Sequence, residues 1–86
     1  MEQGRSGIVK YSPVQESYRG FVIDAWAQKD ERLPAYYGNA RWYRAEENAP
    51  SHSLGSGLRK ACDDSREATE WALQHAKRLI DEAEAG

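Results

Sequence analysis

The side chains best suited to covalent or metal chemistry in this chain are Cys62, His52, His75 and the neighbouring Asp63 and Asp64. A catalytic thiol needs a base held within hydrogen-bond reach and a third group to orient that base. His52 falls in the Ser- and Gly-rich stretch "NAPSHSLGSG", and His75 stands between Trp71 and Leu79 in a helical pattern. No spacing ties either ring to Cys62. The helix that begins beyond Cys62, together with Arg59 and Lys60, would lower the thiol pKa, and Asp63 and Asp64 oppose this. Nucleophile, base and orienting group are not assembled, so the chain reads as a non-enzyme. Cys62 reads as a small buried hydrophobe and His75 as a partly buried, satisfied histidine. The same residues lack C-x-x-C or H-x-x-x-H spacing, and no metal or cofactor is expected.

Two further stretches carry charge in suggestive patterns. "GSGLRK" (55–60) sets Gly-Ser-Gly backbone beside two cations, which can cradle an anion, but it lacks the phosphate-loop spacing. A loop turning into a strand explains it equally well. Asp24 lies mid-strand in "RGFVIDAWAQK", where the ordinary role of a carboxylate is to pair with a cross-strand cation such as Arg41. Asp30-Glu31 and Glu46-Glu47 read as solvated loop residues, and Lys77–Asp81 and Arg78–Glu82 as i,i+4 helix pairs.

Aromatic side chains offer the better surface. In residues 19–29, Phe21, Ile23, Ala25 and Ala27 share one side of a strand, and Val22, Asp24, Trp26 and Gln28 share the other. In "ARWYRAE", Ala40 and Trp42 suit the core side, which sends Arg41 and Tyr43 to the face of Trp26. The candidate binding residues are therefore Trp26, Tyr43, Arg41, Val22 and Asp24. An aromatic pair with an arginine on an open sheet has the composition of a protein-binding or self-association surface. The same rings would also serve as stacking surfaces for single-stranded nucleic acid. Without any binding role, cross-strand rings would stabilise a half-wet sheet, or N-terminal residues would fold over it. A one-residue slip would exchange the two faces.

The elements that position these residues follow from pattern. "DDSREATEWALQHAKRLIDEAEAG" carries Asp64 and Glu67 as a capping box, and then Ala68, Trp71, Ala72, Ala76, Leu79 and Ile80 at helical spacing. A helix over 64–83 is predicted. Short strands are predicted at 7–12, 14–18, 20–28, 40–46 and 58–62; Pro13 separates the first two, and Arg19-Gly20 turns the second into the third. Residues 29–39 and 48–57 read as loops, with no crossover helix between strands. The predicted architecture is α+β: a three- to four-stranded antiparallel sheet with one C-terminal helix packed on one face.

"YRGFVIDAWAQ", a returning "RWYRAE" and "SREATEWALQHAKRLIDE" together resemble small uncharacterised bacterial proteins built as a few strands and one Ala-rich helix. The order is also similar to antitoxin domains of the HicB type, although the Pro-Gly-Cys segment of that family is missing here. The resemblance implies the architecture and assigns no functional residue.

Bulk properties bound the rest. Eighty-six residues suit a single small domain, with a flexible leader at 1–6 and the α+β domain over 7–86. Twelve Lys and Arg against 14 Asp and Glu leave a net charge of −2 with no basic block, which disfavours nucleic acid and anionic membranes. One cysteine and no apolar run of membrane-spanning length point to a reducing, cytoplasmic location. A protein partner or a homodimer is the expected company of this chain, ahead of nucleic acid, and no membrane is expected.

Overall fold

Small residues at alternate positions let strand and helix backbones approach closely, and this chain places them on both elements. The computed structural model describes residues 9–29, 34–46, 50–54 and 60–85. Its elements are β1 (Tyr11–Tyr18), β2 (Phe21–Lys29), β3 (Tyr36–Arg44), β4 (Ser51–Ser53), β5 (Ala61–Cys62) and α1 (Ser65–Ala85). All pairings are antiparallel, in the order β1-β2-β3-β4. β4 and β5 lie end to end along the far edge of β3, opposite Arg41–Tyr43 and Tyr36–Tyr37. The α+β sheet with one C-terminal helix on one face is thus the fold the sequence predicts. No helix among the described residues is long and apolar enough to cross a membrane.

The strand boundaries differ from the pattern in instructive ways. Of the strands expected at 7–12 and 14–18, residues 7–8 lie outside the described residues, and the rest form one strand from Tyr11, because the chain bulges at Pro13 instead of stopping. The register shifts between Tyr11 and Val14, and Ser12 takes a positive φ of 49°. β1 is an edge strand, where proline's missing N–H need not break a ladder bond. The strand expected at 40–46 is Tyr36–Arg44, since Tyr36–Asn39 pair with Trp26–Lys29. Ser51–Ser53, expected in a loop, forms β4, and of the segment 58–62 only Ala61–Cys62 is strand among the described residues. The helix runs Ser65–Ala85, and its first backbone bond is Ala68 N–H to the Asp64 carbonyl, as an Asp64 cap requires. The leader 1–6, Asp30, Glu31, Glu47 and the Gly55–Arg59 stretch lie outside the described residues.

Arg19 and Gly20, with φ of 50° and 85°, make a two-residue hairpin turn closed by Tyr18 and Phe21. Positive φ at both positions matches the right-handed twist of the flanking strands, and glycine takes the second without strain. The core between sheet and helix is built from Ile23, Ala25, Ala40 and Trp42 below and Ala72, Leu73, Ala76 and Ile80 above. Ala27, Cys62 and Ala68 form a second cluster, flanked by Tyr11 and Tyr36.

Gly38 decides how close the layers come. It sits in β3 on the helix side, opposite Ala27, and a Cβ built there would fall 2.1 Å from the Ala68 carbonyl oxygen and 2.9 Å from the Ala72 Cβ. The helix backbone therefore rests directly on strand backbone.

Polar contacts pin α1 along β1. The Ser12 and Ser65 hydroxyls are 2.8 Å apart, and the buried Thr69 hydroxyl donates to the Tyr11 carbonyl at 3.3 Å. At the other end, Asp81 accepts from Arg19 at 2.7 Å and from the Tyr18 hydroxyl at 2.9 Å. Lys77 pairs with Glu16. Lys77 and Asp81 thus reach across to the hairpin instead of forming the expected pair along the helix, because both lie on the flank facing β1. The Arg19 and Tyr18 bonds hold the Asp81 carboxyl below its ordinary pKa, and the Asp81 bond raises that of the Tyr18 hydroxyl.

Gly38→Ala should cost about 3 kcal/mol or more, the upper end for overpacking, because the clash is with helix backbone; urea unfolding measures it. The lowered Asp81 pKa means that the folded chain binds this proton less readily than the unfolded one. Its stabilisation is complete above the unfolded value near ~4 and is lost as pH falls through the lowered folded value. The stability difference between wild type and Asp81→Asn should be constant near neutrality and shrink below about pH 4, as urea titrations across that range would record.

Candidate functional site

The helix covers one face of the sheet, and the register assigns the other. Val22 pairs with Tyr43, Asp24 with Arg41, Trp26 with Asn39 and Gln28 with Tyr37, all on the side away from α1. β1 adds Gln15 beside Asp24 and Ser17 beside Val22, and β4 adds Ser53 beside Arg41 and Ser51 beside Tyr43. All five candidate residues, Trp26, Tyr43, Arg41, Val22 and Asp24, thus share one face, and Trp42 is buried beneath it on the other.

A polar band crosses the middle of this face. The Gln15 amide donates to Asp24 at 2.9 Å, and Arg41 reaches the other Asp24 oxygen at 3.5 Å. The cross-strand pairing of Asp24 with Arg41 therefore exists, as a long and weak ion pair whose arginine is 53% exposed. Arg41 also lies over the Tyr43 ring, 5.9 Å from its centroid.

The rings do not form the aromatic pair that the sequence suggests. Trp26 and Tyr43 stand four register positions apart, about 13 Å along the strands, with the Asp24–Arg41 pair between them. The nearer ring in the ladder is Tyr37, diagonal to Trp26. Tyr37 and Asn39 escaped the sequence reading because Pro34 and Gly38 made 29–39 look like a loop. The Tyr36-Tyr37 pair, with its strand preference, was the available signal. Asn39 is held in place by accepting from the Ala40 N–H at 2.8 Å and donating to Gln28 at 3.2 Å.

Trp26 itself is half-buried. The Lys10 ammonium lies 4.2 Å from its ring centroid, a cation–π contact delivered by the chain entering β1. Of the N-terminal cover foreseen for this face, the described residues supply the Lys10 contact on Trp26, and residues 1–8 lie outside them. The Trp26 indole N–H is buried and has no acceptor among the described residues. A depression of about 360 Å³ opens beside it, lined by Lys10, Pro13, Gln15 and Asp24 among others.

The remaining candidates are dispersed. Cys62 is buried, with Sγ 3.7 Å from the Lys60 carbonyl oxygen, and burial raises its thiol pKa. His52 stacks on Trp42 at 6.1 Å and His75 on Trp71 at 5.2 Å, so each imidazole lies against an indole. No hydrogen bond joins either to Cys62 among the described residues. No three His, Cys, Asp or Glu residues among those described are gathered to hold a metal ion.

Compared with known proteins, the chain matches no family model, no curated protein and no solved structure.

The two indoles should respond oppositely to truncation. Trp42→Ala should cost about 3–5 kcal/mol through lost burial and a cavity. Trp26→Phe removes a buried donor that has no acceptor among the described residues and should stay within about 1 kcal/mol of wild type. Thermal and urea unfolding of the two variants would separate them.

Proposed function

We propose that this protein is a non-catalytic interaction module that binds another protein, or a second copy of itself, through the sheet face opposite the helix. One observation carries the reading: Val22, Trp26 and Tyr43 surround a weakly paired, half-exposed Arg41 on a face that α1 leaves uncovered. Such a mixture of rings and arginine buries apolar area while the guanidinium supplies directional hydrogen bonds. The long Asp24–Arg41 contact leaves Arg41 donors for a partner at little cost. The separation of the rings favours a protein partner over a nucleic acid, since successive bases would meet an ion pair between the two stacking positions. The single cysteine, buried and unpaired, suits work in a reducing compartment such as the cytoplasm.

Size-exclusion chromatography with light scattering, on wild type and Tyr43→Ala over a dilution series, tests self-association. A wild-type dimer with a folded, monomeric Tyr43→Ala supports the face as its own partner. Where wild type is a monomer, Arg41→Glu and Tyr43→Ala should each weaken capture of a partner from the source cell at least tenfold, and raised salt should weaken it little. Unchanged capture by both variants would overturn the reading.

A further inference from the structure

The outer edge of β1 is a second surface, which meets the flat face at the depression beside Trp26. The two-residue turn makes Tyr18–Phe21 a hydrogen-bonded pair, so Glu16–Ile23 and Val14–Ala25 are hydrogen-bonded pairs as well. Gln15 and Ser17 therefore turn their N–H and C=O groups outward, away from β2. Among the described residues no strand pairs with this edge.

Depressions flank the edge on both sides of the sheet. On the helix side, one of about 270 Å³ lies between β1 and α1, lined by apolar Val14 and Leu73, by Arg66, and by Glu16 and Glu70, which are held by Lys77 and Gln74. The other is the depression beside Trp26, and Val14 lines both. Val14 is 42% exposed and Val9 63%, the exposed large hydrophobic side chains among the described residues. Strand addition uses this arrangement: main-chain bonds hold an extended peptide, and alternate side chains enter pockets on opposite faces.

Charge selects the peptide and its direction. Lys10, on the outer face, and Arg66, in the first turn of α1, have no ion-pair partner among the described residues. Both flank the N-terminal end of β1, where Ser12 meets Ser65. The positive end of the helix dipole lies there too. A strand antiparallel to β1 ends its own C-terminal side at this place.

We propose that the β1 edge binds an extended peptide segment of another protein, antiparallel to β1, with an aliphatic side chain over Val14 and Leu73 and an acidic C-terminal side between Lys10 and Arg66. The site does not require the flat face to bind anything.

The probe is a fluorescein-labelled octapeptide alternating valine with threonine and ending in two glutamates, with a matched peptide ending in two lysines. Fluorescence anisotropy should show the glutamate peptide binding wild type at least about tenfold more tightly than the lysine peptide. Ser17→Pro removes an outward N–H while leaving the β2 ladder intact, and it should abolish binding with an unchanged circular dichroism spectrum. Arg66→Glu, which the helix dipole favours, should erase the preference for glutamate. Tyr43→Ala, on the flat face, should leave peptide binding unchanged, which separates failure of this site from failure of the face. Equal binding of the two peptides, undiminished binding by folded Ser17→Pro, or no binding of either peptide would overturn the proposal.

Discussion

Contact between the α1 backbone and Gly38 sets the spacing of the whole molecule. Because strand and helix meet there without a side chain between them, the neighbouring positions must be small, and they are: Ala25, Ala27 and Ala40 in the sheet, Ala68, Ala72 and Ala76 in the helix. Bulk is confined to the margins of this contact, where Ile23, Trp42, Leu73 and Ile80 fill the widening gap. The close contact lies near the start of the 21-residue helix, at Ala68 and Ala72, and the larger side chains fill the space toward its C-terminal half.

One helix cannot cover both sides of a sheet, and the consequences are visible in the composition of each strand. Along the middle of β2 and β3 the residues facing α1 (Phe21, Ile23, Ala25, Ala27, Gly38, Ala40 and Trp42) are apolar, while the opposite side mixes Val22, Trp26, Tyr37 and Tyr43 with Asp24, Arg41, Asn39 and Gln28. The polar members satisfy one another across strands, so the rings are partly sheltered by their neighbours and need no second layer to be tolerated. The charges facing β1 from the helix, Lys77 and Asp81, act differently. They bind across more than sixty residues of sequence to the hairpin and fix the orientation of the helix.

Much of this was legible in the residues. Strict alternation in Phe21–Gln28 gave both the strand and its faces, and the Ala40–Trp42 spacing placed Trp42 in the core opposite Ile23. The Asp64 cap and the alanine spacing located the helix within two residues. What escaped was set by tertiary contact. Gly38 signals a turn when read locally, and its actual cause is the helix lying on top of it, which no local window contains. Pro13 likewise reads as a break, whereas an edge strand absorbs it as a bulge. The separation of Trp26 from Tyr43 depends on the pairing register, which alternation alone leaves open.

The tie between Asp81 and the Tyr18–Arg19 hairpin has a consequence for how the chain is made. The strands emerge from the ribosome first, and β1–β2 and β2–β3 pair neighbouring stretches of chain, so the sheet can assemble early. Yet the element that covers Ile23 and Trp42 is synthesised last, and its clamp closes only after residue 81 has appeared. Throughout that interval the nascent sheet shows water an apolar face on one side and a ring-bearing face on the other. The sheet keeps its apolar face unroofed for as long as α1 takes to follow the strands and dock.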